Sequence, residues 1–123
     1  MTEQRIIMEL GAGVDLHGRD YTKAAKRAVE DAMRHSSLSI IRQLGLDHAT
    51  MRVVVAIGVA EPDQVDKDAV AAVLPYGKKE VTVVKGGVTA DGMGGPGDTV
   101  IAAAGVTAFI DIPDGAFTLS NGS

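Results

Sequence analysis

The sequence predicts a single-domain α/β protein: a four-stranded mixed sheet in the chain order strand, helix, strand, helix, strand, strand, with its helices on one face. Three observations carry this. Short Val- and Ile-rich runs alternate with stretches in which apolar residues recur at helical spacing. A length of 123 residues encloses one core but would leave two thin halves. The 46% hydrophobic fraction includes only two Phe, two Tyr and no Trp, so the core is built from small aliphatic side chains that pack closely.

Arg5 to Leu10 is the first predicted strand, ended by the glycine-rich stretch Leu10-Gly11-Ala12-Gly13-Val14-Asp15-Leu16-His17-Gly18-Arg19-Asp20. Asp20 is placed to cap a helix in which Ala24, Ala25, Ala28, Val29, Ala32 and Met33 recur at helical spacing to about His35. Ser36 and Ser37 weaken it, after which Ile40, Ile41 and Leu44 resume a helical stripe as far as Gly45. Met51 to Val59 is the second strand, apolar on both faces. Glu61-Pro62-Asp63 reads as a turn, and Asp66 caps a short helix carrying Val70, Val73 and Leu74 before Pro75-Tyr76-Gly77 closes it. Val81 to Lys85 is the third strand, Gly86 to Asp98 a long loop, Thr99 to Ile112 the fourth strand and 114–123 a flexible tail.

This order implies two parallel crossovers followed by an antiparallel pair of strands. Arg5-Ile-Ile-Met-Glu-Leu-Gly11 and Arg52-Val-Val-Val-Ala-Ile-Gly58 echo one another as strand starts of similar units. One helix layer covers one sheet face, yet the fourth strand carries apolar residues on both sides, Val100, Ala102, Ala104 and Val106 against Ile101, Ala103 and Phe109. A second copy of the chain is the expected cover, so a homo-oligomer is predicted; the alternative is that the long loops fold back over the sheet.

A net charge of −4 gives no basic face with which to displace counterions from nucleic acid, and acidic membranes are disfavoured for the same reason. The absence of cysteine removes disulfides, thiolate metal sites and thiol nucleophiles. Glu3, Arg5 and Glu9 interrupt any signal-peptide core, and no apolar run reaches the roughly 20 residues that span a bilayer. A cytoplasmic location is expected.

The first glycine stretch fails the dinucleotide pattern, because position 16 is Leu16 and Gly18 comes too late, and a phosphate loop ending in Gly-Lys-Ser or Gly-Lys-Thr is absent. Asp15 and His17 lie two apart and, in extended backbone, project to one side, so Asp15 is expected to orient the imidazole of His17 for proton transfer. The alternative is that both merely bond loop amides. Metal ligation would need further ligands; His35, His48, Asp91 and Asp98 are available but stand at no recognisable ligand spacing, so no metal or other cofactor is assigned.

The second stretch, Gly86 to Asp98, holds six glycines in thirteen residues. Successive glycine amides form concave nests for a carboxylate, phosphate or developing oxyanion; the alternative is a hairpin that needs positive φ at several positions. Lys85, where the third strand meets this loop, pairs an anionic ligand or acts as base, or simply reaches solvent. Loops after parallel strands emerge at one sheet edge, so both stretches are expected to share a rim. The candidate set is therefore Asp15, His17 and Lys85 for catalysis, with Gly11, Gly13, Gly18, Gly86, Gly87, Gly94, Gly95 and Asp98 around the ligand.

Gly11-Ala-Gly-Val-Asp-Leu-His-Gly18 resembles the N-terminal signature GxGxDxHG of a small conserved family of uncharacterised proteins found in bacteria and, with an extension, in plants. Leu74-Pro-Tyr-Gly77 and Val83-Val-Lys-Gly-Gly87 are similar to that family's second half. The resemblance implies that Gly11, Gly13, Asp15, His17 and Gly18 form the family's defining loop, and it implies no reaction. At fold level the strand order also resembles the repeat domains of ring-opening amidohydrolases such as cyanuric acid hydrolase, and the trimeric enamine/imine deaminases. Those ring-opening enzymes use serine–lysine pairs, whereas Lys85 stands here where a serine before the glycines would be sought.

The function expected is that of an oligomeric small-molecule enzyme, acting by general base catalysis or hydrolysis on a polar, carbonyl-bearing compound. The alternatives are a non-catalytic ligand-binding or assembly protein using the same rim, and a metal-dependent hydrolase.

Overall fold

A computed structural model describes residues 2–34, 51–74 and 77–112. Five strands form one mixed sheet: β1 (Thr2–Asp15), β2 (Arg52–Val59), β3 (Lys78–Lys85), β4 (Val88–Gly92) and β5 (Gly95–Ile112). The spatial order is β1-β5-β2-β3, with β4 also pairing β5. Two helices, α1 (Tyr21–Arg34) and α2 (Lys67–Ala71), and a 3-10 turn (Pro62–Gln64) complete the described chain.

The sheet therefore has five strands rather than four, and its order differs from a simple progression. The last strand inserts between β1 and β2: it pairs antiparallel with β1 from Thr2↔Ile112 to Asp15↔Val100, and with β2 from Arg52↔Phe109 to Gly58↔Ala103. β1, β2 and β3 run in one direction, as expected, but only β2 and β3 are adjacent, from Arg52↔Lys78 to Val59↔Lys85. Strand length and alternation do not encode which neighbour a strand takes; two-faced apolarity does signal a central place, and β5 and β2 hold the centre. β1 begins and ends beyond its predicted limits, and β3 starts earlier, at Lys78.

The stretch read as a long loop is mostly a hairpin. After β3 the chain crosses from outside β2 to a line continuing it, and β4 pairs with the beginning of β5 from Val88↔Ile101 to Gly92↔Gly95. The crossing requires Gly87, which has φ 63° and whose Cβ would stand 2.4 Å from the Ile101 carbonyl oxygen. Gly86 packs on Gly58, where a Cβ on Gly86 would stand 3.3 Å from the Gly58 Cα, and donates its amide to the Val59 carbonyl at 2.8 Å.

Both helices lie on one face. Asp20 caps α1, accepting from the Lys23 amide at 2.9 Å, and Asp66 caps α2, accepting from the amides of Asp68 and Ala69. The Thr22 hydroxyl joins the two ends, accepting from the Asp66 amide at 2.9 Å and donating to the Gln64 carbonyl at 3.3 Å. The core between layers is Ala24, Ala28, Val29 and Ala32 of α1, Val70 and Leu74, and the inward residues of β2 and β5, Val53 to Val59 and Val100 to Ile110 in alternation. The resumed helix expected over Ile40 to Gly45, the Pro75-Tyr76 turn and the tail at 114–123 lie outside the described residues. No helix of the described residues is long and apolar enough to cross a membrane.

Small residues let α1 approach the sheet. A Cβ on Gly13 would stand 2.2 Å from both the Ala24 carbonyl oxygen and the Ala28 amide, and one on Gly11 2.4 Å from the Ala28 carbonyl oxygen and the Ala32 amide. These two glycines, expected at the ligand, are strand residues against the helix backbone. α1 also covers the free edge of β1, where Asp31 accepts from the Ala12 amide at 3.0 Å and Arg27 donates to the Val14 carbonyl at 2.5 Å.

Candidate functional site

The carboxyl ends of β1, β2 and β3 and the amino end of β5 lie at one edge of the sheet, because β5 runs against the other three. The loop after β1 and the β4–β5 hairpin meet there. Thr99 donates its hydroxyl to the Leu16 carbonyl at 3.2 Å, and Arg19 donates to the Pro96 carbonyl at 2.7 Å.

The centre of this junction is Asp98. Between Gly92↔Gly95 and Ala90↔Thr99 the register slips, leaving Pro96, Gly97 and Asp98 opposite the single residue Asp91. This bulge re-aims the Asp98 side chain into the junction, where the residue is 6% exposed. Its Oδ2 lies 3.1 Å from His17 Nδ1 and accepts from the Gly94 amide at 2.9 Å, and its Oδ1 accepts from the Gly18 amide at 3.2 Å. The His17 contact first, then the Gly18 and Gly94 amides, hold the Asp98 carboxyl below its ordinary value against the opposing effect of burial. A carboxylate only accepts, so the neutral His17 ring carries its proton on Nδ1 and turns the Nε2 lone pair outward. The His17 side chain is 65% exposed.

Asp15 does not orient His17. It is 2% exposed, accepts from the Asp20 amide at 3.0 Å, and faces Lys23 Nζ at 3.5 Å and Arg27 Nη1 at 4.0 Å. The β-strand parity that puts residues two apart on one side ends at Asp15, where β1 ends, so His17 is free to turn toward the hairpin. Gly18 and Arg19 complete the reversal in left-handed backbone, with φ 92° and 54°.

The other candidates divide by element. Gly18, Gly94 and Asp98 join His17; a Cβ on Gly94 would stand 2.5 Å from Asp98 Oδ2, so glycine lets the carboxylate sit down on the turn. Gly95 lies in the same hairpin with φ 113° and open space around its Cβ position. Gly11 and Gly13 face α1, and Gly86 and Gly87 face β2 and β5. Lys85 pairs in register with Val59 at the outer edge of the sheet, with β2 and β5 between it and β1, and no hydrogen bond or ion pair among the described residues joins it to His17 or Asp98.

Several of the amides around the junction, glycines among them, are already engaged. The amides of Gly18 and Gly94 go to Asp98, that of Asp20 to Asp15, that of Lys23 to Asp20 and that of Gly97 to Asp91. The nest binds the protein's own carboxylates. Arg19, which the sequence reading passed over, anchors one guanidinium nitrogen at this rim. Among the described residues no cluster of three His, Asp or Glu is arranged to hold a metal ion.

Among solved structures, the chain is similar to an FtsZ-like protein of unknown function from Nostoc punctiforme, with a TM-score of 0.76 and 38% identity over 91% of this chain and 99% of that one. No curated protein matches it. Over residues 5–108 the chain fits the model of the conserved hypothetical protein family Lin0512_fam, and it belongs to that family.

Proposed function

We propose that the rim is a site of proton transfer on a small polar molecule, with His17 as general base and Asp98 as the residue that orients it. The single observation carrying this is the contact of a buried carboxylate with Nδ1 of an exposed imidazole, 3.1 Å across a junction of two separate chain segments. Nε2 takes a proton from the substrate or from a water that attacks its carbonyl, and the ionised Asp98 stabilises the imidazolium that results. The reading rests on His17 and not on Lys85, which lies on the outer strand β3 with β2 and β5 between it and β1.

Two measurements test it. Long-range 1H–15N spectra of the ring should report the Nδ1–H tautomer; a neutral ring protonated on Nε2 would discard the proposal. Against a panel of small esters, amides and activated C–H acids, His17→Ala should lower turnover about 100-fold or more while Asp98→Asn lowers it less, both keeping the parent fold. A panel that is turned over equally by parent and His17→Ala would also end it.

The second reading, an assembly or binding protein without turnover, is favoured by a different observation. On the face away from the helices Met8 and Leu10 are 56% and 66% exposed, beside Ala12, Val54, Ala56, Ile101 and Ala103, and no described element packs over them. Self-association through this face is part of the proposal under either reading, since an enzyme rim and an oligomer face occupy different parts of the same sheet.

A further inference from the structure

We infer that the rim takes a monoanionic carboxylate, held by Arg19 beside His17; the inference rests on the proton-transfer reading for what happens to that molecule, but not for its binding. Arg19 is the non-glycine residue with positive φ among the described residues. That left-handed backbone disfavours a side chain with a Cβ, yet it turns Arg19 toward the hairpin together with His17. The two side chains are anchored on the same bulge of β5, Arg19 on the Pro96 carbonyl and His17 on the Asp98 carboxylate two residues further along. A molecule of a few heavy atoms reaches both.

The chemistry of the donors selects the ligand. A guanidinium has five N–H donors in a planar fork; the Pro96 carbonyl takes one nitrogen, and no carboxylate of the described residues pairs with Arg19, which is exposed. The free edge of the fork matches the two oxygens of a carboxylate. The same fork also fits a phosphate, but phosphate sites ordinarily add converging backbone amides, and here the amides of Gly18, Asp20, Lys23, Gly94 and Gly97 are spent on aspartates. The exposed Asp20 and Asp91 add negative charge that a dianion meets more strongly than a monoanion.

The test is an NMR titration of the full chain, reading the Arg19 side-chain N–H and the amides of Gly18 and Gly94 to Gly97. Acetate, pyruvate and benzoate are the probes, acetamide the uncharged isostere, inorganic phosphate the competing anion and sodium chloride the ionic control. Saturable shifts with at least one carboxylate, and none with acetamide or chloride, are expected. Arg19→Gln should weaken that carboxylate about tenfold, the loss of one charge-assisted pair. Arg19→Gly, which accepts the left-handed backbone without strain, should do the same and keep the melting temperature. His17→Ala should still bind the carboxylate, which separates this inference from the fate of the proton-transfer reading. Shifts no larger than chloride gives, phosphate binding more tightly than every carboxylate, or an Arg19→Gly protein that binds as well as the parent would each overturn it.

Discussion

At the scale of single residues, Asp98 is the side chain on which the candidate site depends, because it joins the β1–α1 loop to the hairpin through His17 and Gly18 while accepting from Gly94 within the hairpin. Its carboxyl is held below its ordinary value in the fold, chiefly by His17. A depressed folded value means that the ionised form contributes stability fully above the unfolded value, near pH 4, and that this contribution is lost as pH falls through the folded value. Glu3, lowered by its bonds to Arg52, titrates in the same direction, so the parent alone cannot isolate the effect. Urea unfolding of the parent beside Asp98→Asn does isolate it. The parent should be the more stable at pH 7, with the gap closing toward pH 3; a gap that does not change with pH would mean that the charge of Asp98 is not what ties the two segments together. Asp15 is the contrasting case, a buried carboxylate serving α1 rather than the imidazole. Its distance to Lys23 and Arg27 could not be read from the Asp-Leu-His spacing, since that spacing speaks only for extended backbone, and β1 stops at Asp15.

At the scale of elements, the contact of α1 with β1 is set by Gly11 and Gly13 against Ala24, Ala28 and Ala32. Two strand residues advance about 6.7 Å and four helix residues about 6.0 Å, so glycines two apart meet alanines four apart in step. Gly13→Ala puts a methyl group 2.2 Å from helix backbone on two sides, and the helix must lift. We expect a loss of about 1–3 kcal/mol and a melting temperature lower by roughly 5 °C or more. Gly105→Ala is the control, since its nearest neighbour would be Leu10 Cδ2 at 3.5 Å, an ordinary contact, and it should stay within about 0.5 kcal/mol of the parent. Equal melting temperatures for Gly13→Ala and the parent would refute this account of the packing. The matching periods were legible in the sequence as Gly-Ala-Gly and an alanine stripe, yet glycines between a strand and a helix read equally well as a loop. The caps at Asp20 and Asp66 and helix α1 were legible because each rests on contacts within a few residues, and β2 because its run of apolar residues marks a strand buried between two neighbours. The β4–β5 hairpin was not, because its pairing depends on a crossing at Gly86 and Gly87 that is fixed by Gly58 and Ile101, far along the chain.

At the scale of the whole molecule, the two helices lie on one side of the sheet, and among the described residues no element packs over the other side, where β2 and β5 also carry apolar residues. Three strands about 4.8 Å apart, β1, β5 and β2, carry the apolar part of this face, roughly 400 Å² over the eight residues of β2, and β3 borders it with Lys78, Glu80 and Thr82. A patch of that size is among the largest a monomer exposes and is often a functional surface. Its middle is Met8, Leu10, Ala12, Val54, Ala56 and Ala103, and its far end is charged: Arg52 bonds Glu3 and Glu80 at 2.8 Å each and lies 4.4 Å over the Phe109 ring. A depression of about 720 Å³ lined by Arg5, Met8, Arg52, Val54, Thr107 and Phe109 opens at that end, away from the His17 rim. An apolar centre with a polar border is the anatomy of a protein interface, and two such sheets pack face to face about 10 Å apart. Sedimentation velocity at micromolar concentration should therefore give a species larger than one chain. Leu10→Lys places a charge in the middle of the face without touching α1, and should shift that species toward the monomer while leaving the far-ultraviolet circular dichroism unchanged. A parent that sediments as a monomer throughout the concentration range would leave the open face without a second copy to cover it.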